Sequence, residues 1–448
     1  MRVGVRVVEL GWVEPGAALS AFAGEPWIAF ADSGGDAAGE RARWSFLCPW
    51  PVETLLCRDG GVWRNGEVVS GDVREHLREM RARICGDDIS GLPFSGGVIG
   101  LASYEAGMRL EGVVSRHRAA GDLTAPELVA ASYEEALVFD RLERRVWWVS
   151  GRGRGAPDLR VVAGGFGAVP WLSFRADMGR DAWLEAVREV VRFIGAGDIF
   201  QANLTMRWQA EVPVGFDDMA AYLALREGSP APFGAYLRTP GFSLLSASVE
   251  RFVSMAADGG IETRPIKGTA PSGASEAEAA GFAAALAADE KENAENLMIT
   301  DLMRNDIGRV CEIGSVSVPQ LCGVERFRHL HHLVSCVRGR LRGGLDAVDL
   351  LRATLPPGSV TGAPKRRAME IIDALEGSAR GAYCGSVFRI GRDGALDSSV
   401  VIRSISLVGR RLLVGAGGGI TWLSDPEREY EEMMLKVAPL LDVFSGGC

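Results

Sequence analysis

Lys267 stands in the run Pro265-Ile266-Lys267-Gly268-Thr269. Proline before it and Gly-Thr after it restrict the backbone, so the sequence predicts a loop that aims the amine at a bound ligand. A lysine amine is a nucleophile only when neutral, which partial desolvation or neighbouring cations bring about. Two Glu-x-x-Glu pairs, Glu292 with Glu295 and Glu429 with Glu432, each place both carboxylates on one helix face. Two such faces opposed, with no His or Cys among them, suit a hard cation that keeps several waters, namely Mg²⁺. Lys436, four residues after Glu432, shares that face and brings a cation beside the acids. Arg403 is read as lying inside a strand from Val400 to Ile405, where its guanidinium could bind a planar carboxylate through two hydrogen bonds. Taken singly, an acidic helix face is usually solvated and a strand arginine is usually a rim salt bridge.

The elements that must position these residues follow from periodicity and punctuation. The first 170 or so residues alternate short apolar runs with Gly, Asp and Pro: Trp27 to Ala31, Gly97 to Ala102, Glu135 to Phe139 and Arg145 to Val149 read as strands, and Val73 to Ile84 as a helix. Residues 151–167, rich in Gly and Arg, read as a connection. The expected organisation is a β-rich N-terminal part, 1–170, completing the sheet layers, and a main part, 175–448. From Asp181, Trp183, Val187, Val191 and Ile194 recur at helical spacing, and Gly195-Ala196-Gly197 closes the helix. A strand from Ile199 to Trp208 follows, then a strongly helical stretch from Ser275 to Arg304. Further helices are expected over Ala347–Thr354, Pro364–Leu375 and Glu427–Leu441, the last opened by Ser424-Asp425-Pro426. Strands are expected over Val387–Ile390, Ser399–Leu407 and Arg411–Gly415. Strands not regularly separated by helices favour an α+β fold over a doubly wound sheet.

Composition narrows the function. The chain has 448 residues, 47% hydrophobic and 24% charged, enough for a sizeable core. Its net charge of −9 argues against a nucleic-acid partner, since phosphate neutralisation needs an excess of clustered Lys and Arg. No uncharged apolar run approaches the roughly 18 residues of a membrane span, and the first residues lack the apolar block of a signal peptide, so a cytoplasmic location away from membranes is expected. The eight cysteines, Cys48, Cys57, Cys85, Cys311, Cys322, Cys336, Cys384 and Cys448, form no C-x-x-C pair and read as reduced thiols.

The Lys267 run and four later segments stand in an uncommon combination: Asp301 to Gly308 (DLMRNDIG), His331 to Ser335 (HHLVS), Gly358 to Lys365 (GSVTGAPK) and Ala416 to Ile420 (AGGGI). Together they resemble the chorismate-utilising enzymes. The resemblance spans essentially the whole chain and is densest from Gly197 to Lys436. It implies layered antiparallel sheets flanked by helices, with chorismate in a cleft between them. It also implies Glu295 and Glu432 as direct Mg²⁺ ligands, with Glu292 and Glu429 acting mostly through water. Arg403 and Lys436 would clamp carboxylates. Gly268, Thr269, Tyr383 and Ser359 would touch the substrate, while Gly417, Gly418 and Gly419 would offer backbone N–H groups where side chains would block approach. His332 matches the family histidine near the departing hydroxyl, to protonate or orient it; His329 and His331 beside it read as packing or surface residues.

Two positions bear on the reaction. Family members that add water to chorismate resemble one another in carrying lysine where this chain has Gln201. An amide cannot deprotonate water but can hold ammonia. Anthranilate synthases resemble this chain except for alanine in the Pro-Ile-x-Gly-Thr loop, whereas aminodeoxychorismate synthases carry lysine there. Ala231-Pro232-Phe233 and HHLVS are also nearer the second group. Lys267 is then the covalent nucleophile, attacking C2 with loss of the 4-hydroxyl before ammonia attacks C4. Departures are Ser248-Val249-Glu250-Arg251 for the family's Ser-Pro-Glu-Arg and Phe388-Arg389 for a Gly-Tyr, neither expected to touch the chemistry. Leu55-Leu56-Cys57-Arg58 replaces the Leu-Leu-Glu-Ser run of tryptophan-inhibited relatives. No cysteine stands in a Gly-x-Cys-x-Gly elbow with a downstream histidine, so ammonia is expected free or from a glutamine amidotransferase subunit. No fused lyase is expected. Three readings stand: an aminodeoxychorismate-type amination feeding p-aminobenzoate, an anthranilate-type reaction, and a chorismate-binding module without turnover.

Overall fold

The computed structural model describes residues 5–35, 40–84, 91–119, 125–159, 167–273, 275–326 and 330–445. Cys85, His329 and Cys448 lie outside the described residues; the other six cysteines are thiols. Among the described residues, two twelve-stranded sheets form the body of the protein, their strands pairing antiparallel. In the first sheet the early and late parts of the sequence join where Ile28–Asp32 pairs with Phe233–Thr239. The second joins them where Gly97–Ala102 pairs with Ser386–Gly391.

Side-chain alternation sets the layers. In Gly97–Ala102, Ile99 and Leu101 enter a core shared with Ala29, Phe46, Leu237 and Leu244 of the first sheet, whereas Val98 and Ala102 enter a core with the helices Val73–Ile84 and Ala347–Thr354. A strand buried on both faces needs a continuous apolar run, which is what Gly97 to Ala102 presents. On the far side of the first sheet, a third core gathers Trp183, Val187 and Val190 of the helix Arg180–Gly195 with Met433, Val437 and Leu440 of Pro426–Asp442. The order is helices, sheet, sheet, helices, an α+β sandwich as expected. No helix among the described residues is long and apolar enough to cross a membrane.

Three local expectations are corrected. The apolar run Ser399–Leu407 is not one strand: Leu396–Val400 belongs to the second sheet and Ser404–Val408 to the first, and the chain crosses between them at Val401–Arg403. Arg403 is therefore not a strand residue; it sits at the crossing with φ 49°. Lys267 is not in a loop but in the strand Ile266–Pro271, paired with Leu330–Arg340. The helical stretch from Ser275 is two helices, Glu276–Ala288 and Glu290–Gly308, because Asp289 takes an extended conformation and caps the second by accepting from Glu292 N–H at 3.0 Å.

Candidate active site

The strand Gln201–Glu211 turns Ala202, Leu204, Met206 and Trp208 to the helices and leaves Gln201, Asn203, Thr205 and Arg207 on its other face. All four polar residues are buried. Its neighbour Arg411–Ile420 sets Gly417 opposite Thr205 and Gly419 opposite Asn203. The sheet's inner surface thus changes from apolar to polar and side-chain-free at this end. Gln201 is 1% exposed, and its Oε1 accepts no hydrogen bond among the described residues. A Cβ built on Gly419 would lie 2.3 Å from Gln201 Nε2 and 3.6 Å from Lys267 Nζ. The amide and the amine therefore bound the same space, which glycine keeps open.

Lys267 reaches this space from the second sheet. Its register pairs it with Leu333, and a bulge at Gly268 separates it from the Thr269–His332 pair. Gly268 has φ 72°, and a Cβ there would meet Leu286 Cδ1 at 2.8 Å and Glu292 Oε2 at 3.2 Å. The bulge lets the two acidic-stretch helices approach the strand. Lys267 Nζ lies 3.6 Å from Glu295 Oε2, both side chains largely buried. Asn296, fully buried, fastens this helix by donating to Leu333 C=O at 3.0 Å, directly behind the lysine.

The two acidic pairs do face one another, bridged by cations. Lys291 Nζ stands 4.0 Å from Glu295 Oε1 and 3.8 Å from Glu429 Oε1, spanning the two helices. Lys436 Nζ pairs with Glu432 Oε1 at 2.8 Å and donates to Gly417 C=O at 3.2 Å. Burial pushes the Glu292 carboxyl above the usual range, helped by Glu295. Burial also raises Glu429, against a 2.7 Å hydrogen bond from Ser424 Oγ and the charge of Lys291. Burial works in the same direction on Glu432, but Lys436 outweighs it and holds that carboxyl low. Among the described residues no three His, Cys, Asp or Glu side chains gather closely enough to hold a metal. The donor set nonetheless fits a hard cation: the acids offer oxygen only, and the Lys291 ammonium occupies a position between both faces.

Gly418 faces this helix, its Cβ position 3.2 Å from Glu429 Oε2 and 3.7 Å from Lys436 Nζ. Beyond Val414 the strand has no partner strand on its outer edge among the described residues, since Ser404–Val408 pairs only as far as Val414. Gly417 turns its carbonyl to that open edge, so the N–H groups of Gly417 and Gly419 point there too. Gly418 N–H points instead into the ladder with Leu204.

The remaining residues divide. Ser359 Oγ donates to Glu250 Oε1 at 2.7 Å. Glu250 is raised by burial, only partly offset by that hydrogen bond and by Lys267. Ser248 to Arg251, expected to touch none of the residues assigned to the chemistry, does touch one: Glu250 accepts from Ser359 and lies within the field of Lys267. Its signal was a charge directly after the apolar strand Phe242–Ser248, obscured by the Val249 that replaces the family proline. Lys291, too, went unread among helix acids. Tyr383 lies against Gly415, whose Cβ position overlaps the ring, and burial holds its hydroxyl protonated. Arg403 is exposed at the crossing, with Ala247 N–H donating to its carbonyl at 3.0 Å. His332 Nδ1 is 3.0 Å from Thr269 Oγ1, and burial lowers its pKa; the charges acting on it most are Arg41 and Glu325, not the acidic pairs. His331 is buried, as a packing residue.

Comparison with known proteins agrees with this geometry. Over 97% of this chain and 98% of the relative, the chain is 38% identical to aminodeoxychorismate synthase component 1 of Klebsiella aerogenes. It is 39% identical to anthranilate synthase component 1 of Thermus thermophilus, over 90% of this chain and 89% of that protein. The solved structure of anthranilate synthase component I from Streptococcus pneumoniae superposes with a TM-score of 0.77 at 31% identity, covering 91% of this chain and 94% of that one. A family model for chorismate binding enzymes matches residues 53–442, from the second sheet's early strands to the end of the last helix, and the chain belongs to that family.

Proposed function

We propose that this chain aminates chorismate at C4, forming 4-amino-4-deoxychorismate through a covalent intermediate on Lys267. The observation that carries this reading is the enclosed Lys267 amine, facing the same glycine-kept space as the Gln201 amide and coupled to the protonatable Glu250. The aminating relatives support this reading more than the anthranilate-forming ones do, and lysine in place of the anthranilate synthases' alanine favours it as well.

Neutral Lys267 Nζ forms a bond to C2, the ring double bonds shift, and the C4–O bond breaks. The hydroxyl takes the Glu250 proton and leaves as water, and the adduct nitrogen returns a proton to Glu250. Ammonia, held by the Gln201 amide, then forms the C4–N bond as the C2–Nζ bond breaks, and the lysine leaves with a proton from the new amine. The sum is chorismate plus ammonia giving the 4-amino product and water. Neutral His332 orients the departing hydroxyl by hydrogen bonding. The exposed Arg403 and the Gly417 and Gly419 N–H groups receive substrate carboxylates. Mg²⁺ would be held by Glu295 and Glu432, with Glu292 and Glu429 outside them, and would neutralise a substrate carboxylate. Ammonia would come from a glutamine amidotransferase subunit, consistent with the Klebsiella relative being named as one component.

Withholding ammonia should leave a chorismate-derived adduct, seen by intact mass and mapped to the peptide spanning Arg264 to Thr269. Lys267→Ala should lose both adduct and 4-amino product. Full 4-amination by that variant would overturn the reading. Release of pyruvate by the native chain would favour the anthranilate reaction, which the Thermus relative keeps in view.

A further inference from the structure

The strand carrying Gln201 has an incomplete edge. It pairs with Gly362–Ala363 at Gln201 and Ala202, and with Arg175–Ala176 at Trp208 and Gln209; between these, among the described residues, no strand lies beside it. Two backbone bonds, from Asn203 N–H to Thr361 C=O at 2.7 Å and from Asp177 N–H to Arg207 C=O at 2.8 Å, and several side chains complete the edge. Thr205 donates to Glu376 Oε1 from both N–H and Oγ1, each at 2.8 Å. Asn203 C=O accepts from Arg380 Nη2, and Arg207 N–H donates to Asp177 Oδ1 at 3.0 Å.

Glu376 and Arg380 are one buried ion pair, their side chains 5% and 2% exposed, with nitrogen to oxygen distances of 2.6 to 3.2 Å. Arg380 Nη1 also donates to Val360 C=O at 2.8 Å, and the guanidinium lies 4.3 Å from the Tyr104 ring centroid. The fork therefore reads two backbone carbonyls from two separate segments. One is two residues from Gln201. The other adjoins Ser359, which holds Glu250. Burying an ion pair is a poor way to gain stability, because desolvation consumes most of the attraction. What the fork supplies that an apolar pair would not is a side-chain tie between the two segments, beside the backbone bonds from Asn203 N–H to Thr361 C=O and from Phe200 N–H to Ala363 C=O, each at 2.7 Å.

We propose that Glu376 and Arg380 are positioning residues for the reaction, setting the strand end that carries Gln201 against the turn that carries Ser359 and Glu250. Neither touches the substrate; the pair acts through both segments. The proposal rests on the roles given above to Gln201 and Glu250. Misplacement of either group by about 1 Å is the kind of change that costs on the order of 100-fold in rate while leaving the fold intact.

The test compares Arg380→Lys with Arg238→Lys, whose arginine, on the strand Phe233–Thr239, is paired to Asp218 at the start of the helix Asp218–Gly228 with side chains 17% and 11% exposed. Lysine keeps each charge but cannot span two carbonyls and a carboxylate at once. Both variants should melt lower than the native chain. In the folded fraction, Arg380→Lys should lose at least about tenfold in kcat for chorismate consumption with chorismate KM within about twofold, while Arg238→Lys keeps native kcat. Thr205→Val leaves the ion pair and the backbone N–H bond in place, so it should fold even if Arg380→Lys does not. It should melt somewhat lower, through the loss of one hydrogen bond to a buried carboxylate, and in the folded fraction lose kcat severalfold. Native kcat in folded Arg380→Lys or in Thr205→Val, or equal losses in Arg238→Lys, would refute positioning. Counting chorismate consumed judges the pair whatever forms; identifying the product judges the amination separately.

Discussion

A carboxyl and an amine facing one substrate act as acid and nucleophile only if the acid keeps its proton where the amine has lost its own. Burial supplies the first condition at Glu250, whose raised pKa extends the protonated form to higher pH than an ordinary glutamate. As pH rises through that raised value the acid is lost. Adduct formation without ammonia, followed by intact mass against pH, should therefore decline at high pH. Glu250→Gln should lower the maximum by about 100-fold and abolish the high-pH decline. A decline that persists in the variant would place the acid elsewhere. His332 is held neutral by its lowered pKa, which suits a hydrogen-bond partner rather than a cationic acid.

At the scale of elements, the site depends on glycines where strands come close to catalytic side chains. Gly419→Ala keeps strand geometry but sets a methyl 2.3 Å from Gln201 Nε2, so the amide must leave its position. We expect the variant to fold with melting within a few degrees of native and to lose more than about tenfold in kcat/KM for ammonia, measured with ammonium salts. Native ammonia use would mean that Gln201 does not hold the nucleophile. The start of the last helix was legible because its cap is local: Asp425 accepts from Arg428 N–H ahead of Pro426, as Ser424-Asp425-Pro426 suggested. The strand break at Val401–Arg403 was not legible, because an apolar run that changes sheets carries the same residues as one that stays.

Across the whole molecule, enclosure between two sheets and their helices traps titratable groups away from the site. Burial pushes the Glu105 carboxyl up to about 7, against backbone N–H bonds that include one from Arg380 at 2.9 Å. The folded state thus binds a proton that the unfolded chain releases from its ordinary value of 4.5 upward. Stability from this group is present at low pH, declines as pH rises from about 4.5 to 7, and levels off above, a loss on the order of 3 kcal/mol. Denaturant titrations at several pH values should show this slope in the native chain and its loss in Glu105→Gln. An unchanged slope in the variant would assign it to other groups.

By itself the sequence determined helix faces, the cap of the last helix, the alternating and continuous apolar runs, through the Lys267 run and four later segments the family, and through Lys267, Gln201 and the acidic pairs the residue types of the site. These are properties of neighbours along the chain, where periods of two and 3.6 residues and local hydrogen bonds carry the information. Only the tertiary structure decided that Lys267 lies on a bulged strand, that Lys291 stands between the acidic helices, that Glu250 shares the Lys267 field, and that Glu376 and Arg380 complete an open strand edge. Each of these joins residues far apart in sequence through burial and distance, and neither quantity exists until the two sheets close on one another.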